Sequence, residues 1–121
     1  MPASTAQRFA AKRSKYFAKK VRIDEITFDS QAEARVYMEL KLLVRAGEIN
    51  ALTVKPRLDL HTAGPTGIKR KICTHIPDFK YFDTKAKEWR WVECKGYDHA
   101  LGKLKRKWAE AEYGIVIAVR K

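Results

Sequence analysis

Residues 91–97, WVECKGY, decide the expected fold because they carry two opposite charges inside an otherwise apolar run. Side chains two positions apart in a strand lie on the same face, so Glu93 and Lys95 share one face. Val92 and Cys94 lie on the other face. Because Trp89 and Trp91 are also large and apolar, the strand is apolar on both faces and is expected at the centre of a sheet. A partly buried charge pair there needs a physical reason.

The flanking sequence predicts an α/β fold in the order helix, strand, strand, strand, helix, strand. A segment at 21–28 is expected to be extended. The predicted elements after it are a helix at 29–49, strands at 51–60, 72–82 and 89–95, a helix at 98–113 and a buried strand at 115–119. We expect the three consecutive strands to form an antiparallel meander. The second helix then crosses over, so that the last strand returns beside the sheet.

Both helices carry recognisable signals at their ends and along one face. Ser30 fits the N-cap of the first helix and Glu33 its third position, which together form a capping box. Gly47 and Gly114 are expected to end the two helices. The stripes predicted to face a core are Ala32, Val36, Leu40 and Leu43 on the first helix, and Leu101, Leu104, Trp108 and Ala111 on the second.

Two carboxylates are predicted to converge where the second and third strands pair. Asp78 shares a strand face with Ile76 and Lys80, whereas His75 is predicted on the opposite face with a structural role. If the polar connection 83–88 forms a hairpin, Asp78 and Glu93 can lie side by side. Two close carboxylates repel each other, and a bound divalent cation relieves that repulsion. Oxygen ligands of this kind suit Mg²⁺ or Mn²⁺.

These acidic residues also allow a plainer interpretation. Asp78 can be an ordinary acid at a strand end, and Glu93 with Lys95 an exposed ion pair of little energetic consequence. Glu33 can be nothing more than the capping glutamate. Cys94 alternates away from Glu93 and is predicted to be a small core residue, not a nucleophile.

The charge balance indicates an anionic partner. The 121 residues include 26 Lys and Arg against 14 Asp and Glu, a net charge of +12, and 45% of the chain is hydrophobic. Nucleic acid is the first candidate partner, because basic side chains release counterions from phosphates, and an anionic membrane surface is the second. No apolar run is long enough to span a bilayer.

Basic residues are concentrated in three places. Residues 1–20 are predicted to be a basic arm that contacts DNA, although a targeting segment or a disordered tail has the same composition. A turn-rich loop follows the first predicted strand, and the second helix carries the third cluster. The candidate DNA contacts are Lys12, Arg13, Lys15, Lys19, Lys20, Lys69, Arg70, Lys71, Lys103, Lys105, Arg106 and Lys107.

Cysteine and histidine usage argues against a structural zinc site. Cys73 and Cys94 are isolated, with no CxxC pair, and the three histidines are scattered. Isolated cysteines favour reduced thiols and a cytoplasmic location.

Pro77-Asp78 and Glu93-Cys94-Lys95 together resemble the PD-(D/E)xK motif of the restriction-endonuclease-like nucleases. The element order is similar to that superfamily's core, a mixed sheet flanked by helices. Residues 21–119 are similar to small phage endonucleases related to the endonuclease I type of Holliday-junction resolvase. The resemblance implies a single nuclease domain at 21–121, with Glu33 on the first helix as a further catalytic acid and metal ligand.

The resemblance also implies a mechanism. Asp78, Glu93, Glu33 and the backbone carbonyl of Cys94 would hold one or two Mg²⁺ or Mn²⁺ ions, and Lys95 would aid the attacking hydroxide. Products with 5′-phosphates, a branched DNA substrate (a four-way junction) and a homodimer follow from the same resemblance, with 21–28 as the candidate dimer contact. No membrane or small-molecule partner is expected.

Three other functions stay open at this point. The first is a nicking, flap or linear-duplex nuclease of the same fold. The second is a non-catalytic, basic DNA-binding accessory protein. The third is an RNA-associated domain, against which the lack of an RNP-type aromatic motif argues.

Overall fold

The structure, a computed structural model, describes residues 19–121 of the chain. Lys12, Arg13 and Lys15 of the predicted arm therefore lie outside the described residues. The chain falls into two compact units, one that ends at Glu39 and one over Leu40–Lys121. A single nuclease domain over 21–121 stays a prediction.

The first unit contains a β-hairpin followed by most of the first helix. Strands β1 (Val21–Ile23) and β2 (Ile26–Phe28) pair antiparallel, so the predicted extended segment is a hairpin. Its two turn residues, Asp24 and Glu25, both have positive φ angles of 52° and 65°. Turns of this hand match the twist of the paired strands. The hairpin is therefore closed by an acidic two-residue turn.

The turn acid and an aromatic ring of the helix are joined within this unit. The Tyr37 hydroxyl donates to Asp24 Oδ2 at 2.7 Å, and the Tyr37 ring lies 4.9 Å from that of Phe28. Burial and the neighbouring Asp24 raise the pKa of Tyr37 to about 12. Both rings are almost fully buried.

Helix α1 (Gln31–Arg45) begins where the capping signal predicts. Ser30 Oγ accepts the backbone N–H of Glu33 at 3.1 Å, and its hydroxyl donates to Glu33 Oε2 at 3.2 Å. The prediction that Ala32 belongs to the buried stripe is wrong, because Ala32 is exposed. The buried residues of α1 are Glu33, Ala34, Val36, Tyr37 and Leu40.

The second unit is built on a mixed four-stranded sheet. Its elements after α1 are β3 (Ile49–Val54), β4 (Leu58–Thr62), β5 (Arg70–His75), β6 (Phe79–Asp83), β7 (Glu88–Cys94), α2 (Ala100–Tyr113) and β8 (Ile117–Arg120). The sheet order is β3-β6-β7-β8, and β4 and β5 form a separate two-stranded sheet. β3, β6 and β7 are antiparallel, and β8 runs parallel to β7 after the α2 crossover. The predicted meander, the crossover and the central place of β7 are confirmed.

Two of the predicted strands are each broken at a proline. The segment 51–60 divides at Pro56 between β3 and β4, and 72–82 divides at Pro77 between β5 and β6. Proline has no backbone N–H, so it cannot continue a ladder inside a sheet. In both places the chain leaves one sheet and enters another. The added β4–β5 hairpin is thus an insertion in the predicted order of elements.

The buried face of α2 differs from the predicted one. Leu101 and Leu104 are exposed by 67% and 56%, and Ala111 is also exposed. Ala109 is fully buried instead, in a core with Leu58, Leu60 and Ile117, while Trp108 packs at its edge. The helix is rotated because its polar residues Arg106 and Glu112 have buried or half-buried partners, which hydrophobic spacing alone does not reveal.

The rotation of α2 predicts opposite responses at two neighbouring positions. Ala109→Leu is expected to lower the free energy of unfolding by about 1–3 kcal/mol, because a fully packed site has no room for the added atoms. Leu104→Ala is expected to change it by no more than about 0.5 kcal/mol, because that side chain faces solvent. Urea unfolding of both variants checks this, and equal losses would contradict the assigned face.

A second helix contact predicts a pH dependence of stability. Glu112 accepts the backbone N–H of His61 at 2.7 Å and contacts its Nδ1 at 2.6 Å. The His61 backbone N–H, then its ring, holds the pKa of Glu112 below the usual 4.5. A carboxyl with a lowered pKa stabilises the folded state above pH 4.5, and that contribution is lost as the pH falls through the folded-state pKa.

Glu112→Gln is therefore expected to cost stability at pH 6 and to cost less at pH 3. The measurement is the free energy of unfolding of wild type and variant across that range. A cost that is independent of pH would contradict the assigned ionisation.

The cysteines and the helices agree with two further predictions, reduced thiols and no membrane-spanning run, within residues 19–121. Cys73 and Cys94 are both free thiols. Among the helices of residues 19–121, none is long and apolar enough to cross a membrane.

Candidate functional site

Asp78 is held at the end of β7 by its backbone and its carboxylate together. Its N–H donates to the Val92 carbonyl at 3.0 Å, and its own carbonyl accepts Lys55 N–H at 2.8 Å. Its Oδ2 accepts the Cys94 N–H at 2.7 Å. The Asp78 carboxylate therefore lies against the residue that separates Glu93 from Lys95, as the predicted strand pairing requires.

Glu93 is the most deeply buried carboxylate of the unit, with 1% of its surface exposed. Its Oε1 contacts His75 Nε2 in a short hydrogen bond. Its Oε2 accepts Arg106 Nη1 at 3.0 Å and lies 3.9 Å from Lys95 Nζ. Both oxygens thus have basic partners, which offset the large cost of burying a charge.

These partners determine the ionisation of Glu93. Burial alone raises the pKa of a carboxyl, because it disfavours the charged form. The hydrogen bond and charge of His75, followed by Arg106 and Lys95, outweigh burial and hold the pKa of Glu93 below its usual 4.5. Glu93 is an anion at neutral pH.

Arg106 joins Glu93 to a second acid. Its Nη2 donates to Asp98 Oδ2 at 2.5 Å and its Nη1 donates to Asp98 Oδ1 at 3.2 Å, which makes a bidentate ion pair. Only 13% of the Arg106 side chain is exposed. The pair with Asp98, then Glu93, raises the pKa of Arg106, and Arg106 lowers the pKa of Asp98. Unlike the other cations of its helix, Arg106 is committed to buried ion pairs.

Sequence patterns place His75 and Arg106 differently and do not single out Asp98. Strand alternation predicted His75 on the face opposite Asp78, away from the candidate site. The structure instead places His75 in contact with Glu93, because β5 ends at His75 and Pro77 breaks the alternation. No sequence pattern identifies Arg106, because the burial of Ala109, three positions later on the same face, was not predicted either.

Glu33 lies in the other compact unit. It is buried and forms the capping contacts with Ser30 described above. The capping function is confirmed, and its role as a metal ligand and catalytic acid stays a prediction.

The other described candidates for DNA contact are partly or fully exposed. Lys69 lies 3.9 Å from the mostly buried Glu112, and Lys71 lies 3.4 Å from Asp59 in an exposed pair. Lys103 and Lys107 lie with Arg106 along a recess of about 430 Å³ on α2. The exposed or half-exposed candidates are Lys19, Lys20, Lys69, Arg70, Lys71, Lys103, Lys105 and Lys107.

The residues at the end of β7 fit a divalent cation in chemical type. Within residues 19–121, Asp78 Oδ1 accepts no hydrogen bond, and no three His, Cys, Asp or Glu side chains form a metal-holding group. Mg²⁺ is commonly bound through one or two carboxylates together with substrate phosphates, so two acids suffice. Asp78, Glu93 and the Cys94 carbonyl supply hard oxygen donors. Two cations, Arg106 and Lys95, already lie beside Glu93, which favours one metal ion over two.

Comparison with family models gives a match over most of the chain. A family model described as "Protein of unknown function (DUF1064)" matches residues 13–119. No curated protein and no solved structure matches the chain.

Proposed function

We propose a function for this chain, which belongs to the DUF1064 family: it is a divalent-metal-dependent DNA endonuclease. The observation that carries the proposal is the contact of Asp78 with Cys94, between Glu93 and Lys95. The carboxylate of Asp78, directly before β6, thereby lies at the end of β7, where Glu93 and the following Lys95 are found. The PD-(D/E)xK resemblance of these residues and the restriction-endonuclease-like fold that it implies belong to the same proposal.

Each residue has a separate part in the proposed reaction. Asp78 and Glu93, with the Cys94 carbonyl, would hold Mg²⁺ or Mn²⁺. The bound metal would supply Lewis-acid polarisation of a phosphate oxygen and a lower pKa for a bound water. Lys95, 3.9 Å from Glu93 and partly exposed, would stabilise the negative charge that develops on the phosphate. His75 and Arg106 would keep Glu93 ionised and oriented.

The substrate is proposed from charge and from resemblance. A net charge of +12 and the exposed lysines favour a polyanion. The resemblance to junction resolvases favours branched DNA, products with 5′-phosphates and a homodimer in which two sites make paired cuts. A cytoplasmic location belongs with this proposal.

A second candidate is a non-catalytic DNA-binding protein of the same fold. The observation that favours it is that both carboxylate oxygens of Glu93 already have side-chain partners in His75, Arg106 and Lys95. Such a protein would bind DNA in EDTA and would cut nothing.

The test is a cleavage assay on a fixed four-way junction, a linear duplex of matched sequence and a single strand, with Mg²⁺ or with EDTA. Paired symmetric nicks that need Mg²⁺ and are confined to the junction are the expected result. Equal cutting of all three substrates would support nuclease activity and refute selectivity for the junction. Binding without cleavage would favour the second candidate, and light scattering would measure the predicted dimer.

A further inference from the structure

A cleft beside Lys95 combines cations with exposed apolar and aromatic side chains. Its volume is about 610 Å³, within the range of sites that bind small organic groups. The residues that line it and carry the argument are His75, Lys95, Tyr97, His99, Leu101 and Lys105. His75 and Lys95 also contact Glu93, so the cleft is continuous with the candidate site.

The aromatic part of the cleft is a pair of rings in the loop before α2. The Tyr97 ring lies 4.5 Å from the His99 ring at 76°, an edge-to-face contact, yet 74% of Tyr97 is exposed. His99 is the N-cap of α2 but makes no side-chain capping hydrogen bond. The histidine ring is therefore packed on the tyrosine instead of capping the helix. Its contact orders a tyrosine that is open to solvent.

The cationic part of the cleft is Lys105 together with Lys95. Lys105 is half-buried and forms no ion pair with any residue of the described chain, and the ion pair of Lys95 within that part of the chain is the long 3.9 Å contact to Glu93. Positive charges beside an exposed ring are the combination that binds single-stranded nucleic acid, with the base stacked and the phosphate paired. Leu101, exposed by 67%, extends the apolar wall.

We propose that this cleft binds one unstacked nucleotide of the DNA substrate, next to the phosphate that is cut. Its base stacks on Tyr97, and its phosphate pairs with Lys105. Bases inside a linear duplex are already stacked and cannot reach such a ring, whereas a base at a branch point can. The cleft thus gives specificity for branched DNA. The choice of DNA as its ligand rests on the proposed function.

The test measures binding in EDTA, without cleavage, to a four-way junction that carries 2-aminopurine at the branch point. Tyr97→Ala is expected to weaken junction binding about 10-fold, the effect of losing one base–aromatic stack, and to abolish the change in 2-aminopurine fluorescence. Tyr97→Phe should retain both. Binding of a matched linear duplex should change less than twofold. Ile68→Ala, an exposed apolar residue elsewhere, serves as the surface control.

The second variant addresses the phosphate contact. Lys105→Gln is expected to weaken junction binding. The slope of the logarithm of affinity against the logarithm of salt concentration should also become shallower, by the amount of about one phosphate contact. Equal binding by wild type and Tyr97→Ala, or equal weakening of junction and duplex, would overturn the inference even if Mg²⁺-dependent cleavage persists. A fluorescence change that depends on Tyr97 in a protein that never cuts DNA would uphold the cleft and refute the nuclease.

Discussion

Lys95→Met is expected to lower the rate of Mg²⁺-dependent DNA cleavage about 100- to 1,000-fold, the usual cost of losing one group that stabilises charge in a transition state. The residue is partly exposed and its contact with Glu93 is long, at 3.9 Å, so the fold should be little affected. DNA binding in EDTA should fall only modestly, because many other cations remain. Single-turnover cleavage and a binding titration measure the two effects separately.

Lys85→Met is the matched control for this variant. Its side chain is exposed in the turn between β6 and β7, where Glu48 is its one ion-pair partner among residues 19–121. The Lys85→Met substitution removes the same charge and leaves the candidate site intact, so the cleavage rate should stay within about twofold of wild type. Equal rates for Lys95→Met and wild type would refute a catalytic role for Lys95.

Arg106→Met is expected to lower the free energy of unfolding by about 3 kcal/mol, because it leaves the buried Glu93 with less compensation for its charge. Adding Glu93→Gln should recover most of the loss, since the charge that needs a partner is then gone. Urea unfolding of both single variants and of the double variant gives the coupling energy.

Lys107→Met is the control on the same helix. It lies next to Arg106, its side chain is exposed, and its loss should cost no more than about 0.5 kcal/mol. Arg106→Met as stable as Lys107→Met would mean that Arg106 is a surface cation after all. Junction binding that falls while stability is unchanged would restore the predicted DNA contact.

The parts of the fold that sequence predicted are those with local signals. The start of α1 follows from Ser30 and Glu33, and the turn between β6 and β7 follows from its polar residues. The crossover of α2 to a parallel β8 follows from the order of elements. What alternation could not predict is a change of sheet inside an apolar run, as at Pro56 and Pro77. Each proline was known, but the sheet that receives the chain after it depends on tertiary packing.

The candidate site shows the same division. Asp78, Glu93 and Lys95 were singled out by their pattern, and the antiparallel pairing of β6 with β7 brings Asp78 to the end of β7, where it contacts Cys94, the neighbour of Glu93. The partners of Glu93 were not identified from sequence. His75 lies beyond a break in strand alternation, and Arg106 has the same sequence context as the solvent-exposed lysines around it. Buried ion pairs between distant segments leave no periodic signal, since their spacing is fixed only by the folded chain.

The most direct test of the central claim compares wild type with Asp78→Asn on a 5′-labelled four-way junction. Asparagine can still accept the Cys94 N–H, so the variant should fold and bind the junction in EDTA like wild type. The account predicts that wild type cuts with Mg²⁺ and not with EDTA, and that the variant cuts at least about 100-fold more slowly. Cleavage by Asp78→Asn at the wild-type rate, or wild-type cleavage that persists in EDTA, would contradict a metal-dependent site at the end of β7.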